Sequence, residues 1–211
     1  MDTIIGALFD LDGVLVDTAK YHFQAWQRLA LTLGIDFTER DNEALKGVSR
    51  MRSLDILLGP GGVRCSESEK YKLAEMKNGW YVESLRAIDS GALLPGAVEY
   101  LDFLRIKGFG IALGSASKNA RFILKRLGIE DKFDGIIDGN CVEKVKPDPE
   151  VFVKGAELLS LRNSECMVFE DSLAGIQAAK NCGMYAIAVG SPDVLSGADR
   201  YITSLRDMLV D

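Results

Sequence analysis

The chain has 211 residues, of which 47% are hydrophobic and 27% charged, and its formal net charge is −6. That is an ordinary globular composition, with room for one large domain or a core and a smaller insertion, and its acidic balance argues against a general nucleic-acid or anionic-membrane surface. No apolar run approaches the ~18–20 residues of a membrane span, and the start MDTIIGALFD lacks the basic region of a secretory signal.

In chain order, residues 3–10 (TIIGALFD) read as a strand buried on both faces. From about Asp17 to Leu33 the period becomes helical. Helical pattern persists over 15–88 without a convincing strand, and Ser66-x-x-Glu69 marks a capping-box start. GPGGV (59–63) reads as a turn too short to be a linker. Residues 91–107 read as a loop and then a helix with Pro95 near its first turn. FGIALGS (109–115) is a second apolar strand, followed by a helix over 118–127 with Ser117 as N-cap and Gly128 as its stop. FDGIID (133–138) reads as a short strand and 149–159 as a helix. CMVFED (166–171) is a fourth strand, 173–182 a helix stopped by Gly183, and MYAIAVG (184–190) a fifth strand. The alternation predicts an α/β fold: a Rossmann-like parallel sheet core with helices on both faces (1–14 and 91–211), plus an all-helical cap domain (15–90) inserted after strand 1.

Acids gather where such a fold binds ligands. Asp10 ends the first strand, with Asp12 and Asp17 just beyond it, and Glu170 and Asp171 end the fourth. In parallel sheets ligands sit beyond the carboxyl ends of strands, near the point where strand order reverses. Two unit charges ~5 Å apart repel by roughly 3 kcal/mol at an effective dielectric of 20. Such a cluster calls for a cation, and an all-oxygen donor set suits Mg²⁺. Asp17 and Ser172 also fit as plain helix caps.

Other chemistries are narrowed by what is scarce. His22 is the one histidine, which excludes multi-histidine metal sites, and there is no G-x-S-x-G elbow. Cys65, Cys141, Cys166 and Cys182 form no C-x-x-C pair, as expected of free thiols in a reducing cytoplasm, with zinc or a disulfide pair as the minor alternative. In the helical stretch, Thr18, His22 and Trp26 share one face with Leu29 and Leu33. Trp26 fits either the core or a pocket, while Thr18 and His22 lie at the end nearest Asp10. KGVSR (46–50) is a polar break before a helix, with Ser49 also readable as its cap. Lys77 falls between Leu73 and Trp80 on one face, which requires a snorkelling stem or a partner.

DLDGVLVDT resembles the first motif, D-x-D-x-[TV], of the haloacid dehalogenase-like phosphotransferases. GSAS (114–117), VKPDP (145–149) and VFEDSLAGIQAA (168–179) resemble the second, third and fourth motifs, in order. The resemblance implies that Asp10 is a nucleophile forming an aspartyl-phosphate and Asp12 the general acid/base. It implies one Mg²⁺ held by Asp10, the backbone carbonyl of Asp12 and Asp171, with Glu170 in support. Ser115 and Lys146 would bind the transferring phosphoryl group. A Lys146–Pro147 cis bond is expected as a way of aiming Lys146 inward.

LFDLDGVLVDTAKYHFQAW, LKGVSR, the Lys77 helix and GSASKN are similar to the β-phosphoglucomutase family within that group. This implies interconversion of β-D-glucose 1-phosphate and glucose 6-phosphate through β-glucose 1,6-bisphosphate. By the same resemblance Arg50 would grip the non-transferring phosphate, with Ser117 and Asn119 on that distal side. The Gly47–Ser49 backbone (Gly47, Val48, Ser49), His22, Trp26 and Lys77 would shape the sugar pocket, and Lys46, Ser53, Ala116 and Lys118 would also bind substrate or phosphate. Thr18 and His22 would gate Asp12, and the cap would close on hinges near 13–17 and 87–92. Gly114, where a small residue such as alanine is common, and the GPGGV turn depart from the pattern. The nearest rival is a sugar-phosphate phosphatase on the same core. A more distant one is a phospho-accepting or non-catalytic binding module, although receiver domains are shorter and lack a helical cap. A cytoplasmic monomer acting on small sugar phosphates, without nucleic-acid or membrane partners, is the expectation.

Overall fold

Gly6–Phe9 form β1, and all four residues are buried. Ala7 and Phe9 pack into one apolar cluster and Leu8 into another, the alternation of a strand covered on both faces. The computed structural model describes residues 3–45, 48–59 and 62–209. Between β1 and the next strand the chain forms α1 (Ala19–Thr32), α2 (Glu39–Glu43), α3 (Arg50–Leu58), α4 (Glu67–Leu85) and α5 (Ala97–Ile106). Then come β2 (Gly110–Gly114), α6 (Ala120–Leu127), β3 (Gly135–Ile137), α7 (Glu150–Leu158), β4 (Cys166–Glu170), α8 (Leu173–Asn181), β5 (Tyr185–Val189) and β6 (Arg200–Ile202).

The strands form one sheet in the order β3-β2-β1-β4-β5-β6, with every neighbouring pair parallel. The chain steps outward from β1 to β3, then returns to β4 on the other side of β1. Strand order therefore reverses between β1 and β4, which places Asp10 and Glu170 at the switch point. α5 and α6 bury Tyr100, Leu101, Leu104, Ile123 and Leu124 against one face of the sheet. α7 and α8 bury Val151, Phe152, Ile176 and Ala179 against the other.

α1–α4 gather a third apolar cluster of their own, around Trp26, Leu29, Leu54, Leu57 and Ala74. Two chain segments join these helices to the sheet, and they run side by side. Asp17 N donates to Ala92 O (2.8 Å), and Leu94 N donates to Leu15 O (2.9 Å).

The capping box at Ser66 and Glu69 is present, and Ser49 caps α3 by accepting from Arg52 N at 3.3 Å. Ser172 caps α8, and Asp17 Oδ1 accepts from Ala19 N at 3.2 Å. The Lys146–Pro147 bond is cis, as expected. Some expectations need correction. Ser117 does not cap α6: the N-cap is Asn119, whose own N–H donates to Ser117 Oγ at 3.3 Å, so Ser117 stays in the preceding turn. Pro95 stands near the first turn of α5 as expected, just before its N-cap Gly96. Asp171 lies one residue beyond β4 instead of within it. β6 and the 3-10 segment Leu205–Leu209 were not anticipated, since RYI is too short to carry a period. Among the described residues all four cysteines are free thiols, and no helix is long and apolar enough to cross a membrane.

Candidate active site

The carboxyl end of the sheet brings one cation and several carboxylates together. Asp10 N donates to Phe169 O (3.0 Å), which ties the residue after β1 to the end of β4. Lys146, in the loop between β3 and α7, donates from Nζ to Asp10 Oδ1 (2.6 Å) and Glu170 Oε1 (2.5 Å). Glu170 Oε2 accepts from the N–H and hydroxyl of Ser172 at 2.9 and 2.8 Å. Both its oxygens are thus engaged, which makes Glu170 an anchor for Lys146.

These groups are buried, and burial raises Asp10 to about 7 and Asp171 to about 8, with neighbouring acids adding to each. Asp12 is also raised, by burial. Burial works against the Lys146 ammonium, but Asp10 and Glu170 hold it well above the usual lysine range. One lysine does not balance this much negative charge. Gly13, at φ 80°, passes so close to Asp171 that a Cβ there would sit 1.9 Å from Oδ2. Among the described residues no three His, Cys, Asp or Glu side chains form a cage. Asp10 and Asp171, which line the same cavity, could therefore offer only a sparse carboxylate donor set. That set suits a hard divalent cation that keeps water and substrate oxygens as further ligands.

The helices α1, α3 and α4 supply the opposite wall. Thr18 Oγ1 donates a hydrogen bond to Asp12 Oδ1. His22 Nδ1 and Lys77 Nζ are hydrogen-bonded at 2.9 Å, and the His22 ring stacks on Tyr81 with centroids 4.0 Å apart. The buried Lys77 ammonium lies 4.6 Å from the Trp26 ring centroid and 4.7 Å from that of Tyr81. Burial and then Arg50 lower Lys77 to about 7, against an opposing pull from Asp12. Burial, Lys77 and Arg50 likewise hold His22 well below its ordinary value, so the ring is neutral at pH 7. Trp26 serves both readings: it belongs to the helices' own cluster and also faces the cavity.

A cavity of about 280 Å³ lies between the two walls. Asp10, Asp12, Ser115, Ala116, Ser117, Lys118, Asn119, Lys146, Glu170 and Asp171 line its sheet side. Thr18, His22, Trp26, Val48, Ser49, Arg50, Ser53 and Lys77 line its helical side. Lys46 and Gly47 lie outside the described residues. Ser115 is set by its N–H to Ile137 O (3.0 Å), and its Oγ accepts from Ser117 N at 3.1 Å. Arg50 makes an ion pair with Glu75, Nη1 to Oε1 at 2.5 Å.

Sequence reasoning missed Asn42, Asn78 and Tyr81, which also line the cavity. Asn78 Oδ1 accepts from Asn119 Nδ2 at 3.0 Å, a direct link between α4 and the sheet side. Tyr81 stands four residues after Lys77, so it shares a helix face with it, a signal that was available. Its buried hydroxyl has no hydrogen-bond partner among the described residues. Asn42, in a short polar helix, gave no sequence signal.

The model of the haloacid dehalogenase-like hydrolases matches residues 6–183. A β-phosphoglucomutase of Bacillus subtilis is 39% identical, over 97% of this chain and 91% of that protein. The crystal structure of a β-phosphoglucomutase from Clostridium difficile superposes with a TM-score of 0.93 at 41% identity, covering 98% of this chain and 93% of that one. A phosphorylated carbohydrates phosphatase of Thermotoga maritima is 33% identical, over 85% of this chain and 82% of that protein. The chain belongs to the haloacid dehalogenase-like hydrolase family and, within it, to the β-phosphoglucomutases.

Proposed function

We infer that the protein interconverts β-D-glucose 1-phosphate and glucose 6-phosphate through an aspartyl-phosphate on Asp10 and a β-glucose 1,6-bisphosphate intermediate that also acts as activator. One observation supports this most: a single cavity has the Asp10–Lys146 cluster on one wall and the Arg50 guanidinium on the other. A mutase must hold a phosphate at both ends of its sugar, whereas a simple phosphatase needs only one such pocket.

The chemistry follows from the residues. The hydroxyl oxygen of the bound sugar phosphate attacks phosphorus on phospho-Asp10 as its proton passes to the Asp12 carboxylate. The acyl-phosphate bond breaks and the Asp10 carboxylate is released. After the bisphosphate turns around, Asp10 attacks the other phosphate, and Asp12 returns its proton to the departing sugar oxygen. Burial raises Asp12, the direction that suits a group that takes up and returns a proton. Thr18 holds Asp12 until sugar is in place. Lys146 and Ser115 steady the transferring group, and Arg50, Ser117 and Asn119 the distal phosphate. The Val48–Ser49 backbone, Ser53, His22, Trp26 and Lys77 shape the sugar pocket. Bound by Asp10, Asp171 and the Asp12 carbonyl, Mg²⁺ would offset the repulsion between carboxylate and phosphate. Closure of α1–α4 over the sheet would exclude water from the phosphoenzyme.

Phosphate hydrolysis is the second reading, favoured by the likeness to the carbohydrate phosphatase. ³¹P NMR separates the two, with β-glucose 1-phosphate, Mg²⁺ and a trace of glucose 1,6-bisphosphate supplied and the α anomer as control. Glucose 6-phosphate from the β anomer alone supports the mutase. Free phosphate as the main product replaces it with a phosphatase.

A further inference from the structure

The guanidinium of Arg50 already has an anionic partner. Its Nη1 lies 2.5 Å from Oε1 of Glu75, with side chains 22% and 49% exposed respectively. Arg50 lines the cavity, whereas Glu75 does not. The pair is not needed to hold α3 against α4. Lys70 and Asp55 join the same two helices at 2.8 Å, and Leu54, Leu57 and Ala74 pack together beneath them. A guanidinium fork matches a carboxylate and a phosphate with the same geometry, so the two anions compete for it. An ion pair this exposed contributes little to stability, which leaves it easy for a stronger anion to displace.

We propose that Glu75 is a specificity-determining counter-ion of Arg50, occupying the guanidinium until a dianionic phosphate at the distal end of the sugar displaces it. The proposal rests on the reading of Arg50 as the distal clamp. Glu75 weakens every anion at that position, and only a dianion with good bidentate geometry recovers the loss. Ligands of lower charge are disfavoured, and the bisphosphate intermediate is spared too tight a grip before it turns around.

Calorimetric titration of glucose 6-phosphate into the full chain with Mg²⁺ tests this, using Glu75→Gln, Asp55→Asn, Arg50→Ala and the Glu75→Gln/Arg50→Ala double variant. Glu75→Gln is expected to tighten binding about two- to five-fold, the range released by removing one exposed competing charge. The same factor should appear as a lower KM. Asp55→Asn, which breaks the other α3–α4 ion pair, should leave affinity unchanged. In the Arg50→Ala background Glu75→Gln should have no effect. Unchanged or weaker binding in Glu75→Gln, or an equal gain in Asp55→Asn, would overturn the proposal while leaving the clamp intact. Arg50→Ala binding as well as the wild type would overturn the clamp reading itself, and the proposal with it.

Discussion

Lys77 carries an ammonium into a setting that disfavours it, between the rings of Trp26 and Tyr81 and beside neutral His22. Its pKa falls to about 7 from 10.5, so the folded protein bears a penalty that is full below pH ~7 and fades as pH rises towards 10.5. Lys77→Met should therefore stabilise the protein by roughly 1–3 kcal/mol at pH 6–7. That is less than the ~5 kcal/mol such a shift implies, because the cation–π contacts are lost. The gain should vanish near pH 10 in urea titrations, and mutase activity should fall in the same variant. Asp12→Asn should keep glucose 6-phosphate binding and lose roughly 10²–10⁴ in turnover, the usual contribution of acid–base catalysis; near-normal turnover would remove its assigned role. Gly114 makes a different point. A Cβ there would lie 2.8 Å from the Phe152 ring, over which the Lys146 ammonium sits at 4.8 Å. Gly114→Ala should cost about 1–3 kcal/mol by overpacking and reduce activity by disturbing Lys146. Melting curves and turnover check both.

At the scale of elements, α8 shows packing overriding propensity. Alanine is a better helix former than glycine by up to ~1 kcal/mol, which alone makes Gly175→Ala favourable. A Cβ at 175, however, would meet the Glu170 carboxylate at 1.9 Å, because the first turn of α8 lies against the group that anchors Lys146. Gly175→Ala should therefore destabilise the protein and reduce turnover together, and a stabilised, active variant would contradict the packing argument. The same difference between local and non-local signals decides what was legible in the sequence. β1, β2, β4 and β5 are apolar runs closed by glycine or acid, so their existence and order could be read. β6 could not, because three residues pair with β5 only through the tertiary fold. The carboxylates were legible because acids ending buried strands are costly without a purpose. Asn78 and Tyr81 draw their places from how α4 meets the sheet, and Glu75 draws its role from how α3 meets α4. No period along the chain records either meeting.

For the whole molecule, the cavity is built from two groups of elements joined by two paired segments, with hydrogen bonds from Asp17 to Ala92 and from Leu94 to Leu15. Movement there would bring the helical wall with Arg50 and Lys77 towards the sheet wall with Asp10, and Asn78–Asn119 is a contact that spans both. In the proposed mechanism neither wall suffices alone: the sheet would supply the phosphoryl chemistry, and the helices the grip that separates transfer to sugar from loss to water. Arg50→Ala separates these contributions most directly, by comparing mutase turnover with the rate at which phosphorylated Asp10 hydrolyses without sugar. The expected result is a mutase loss of ~10²–10³ with hydrolysis nearly unchanged. Equal losses in both rates would contradict a second phosphate site on the helical wall.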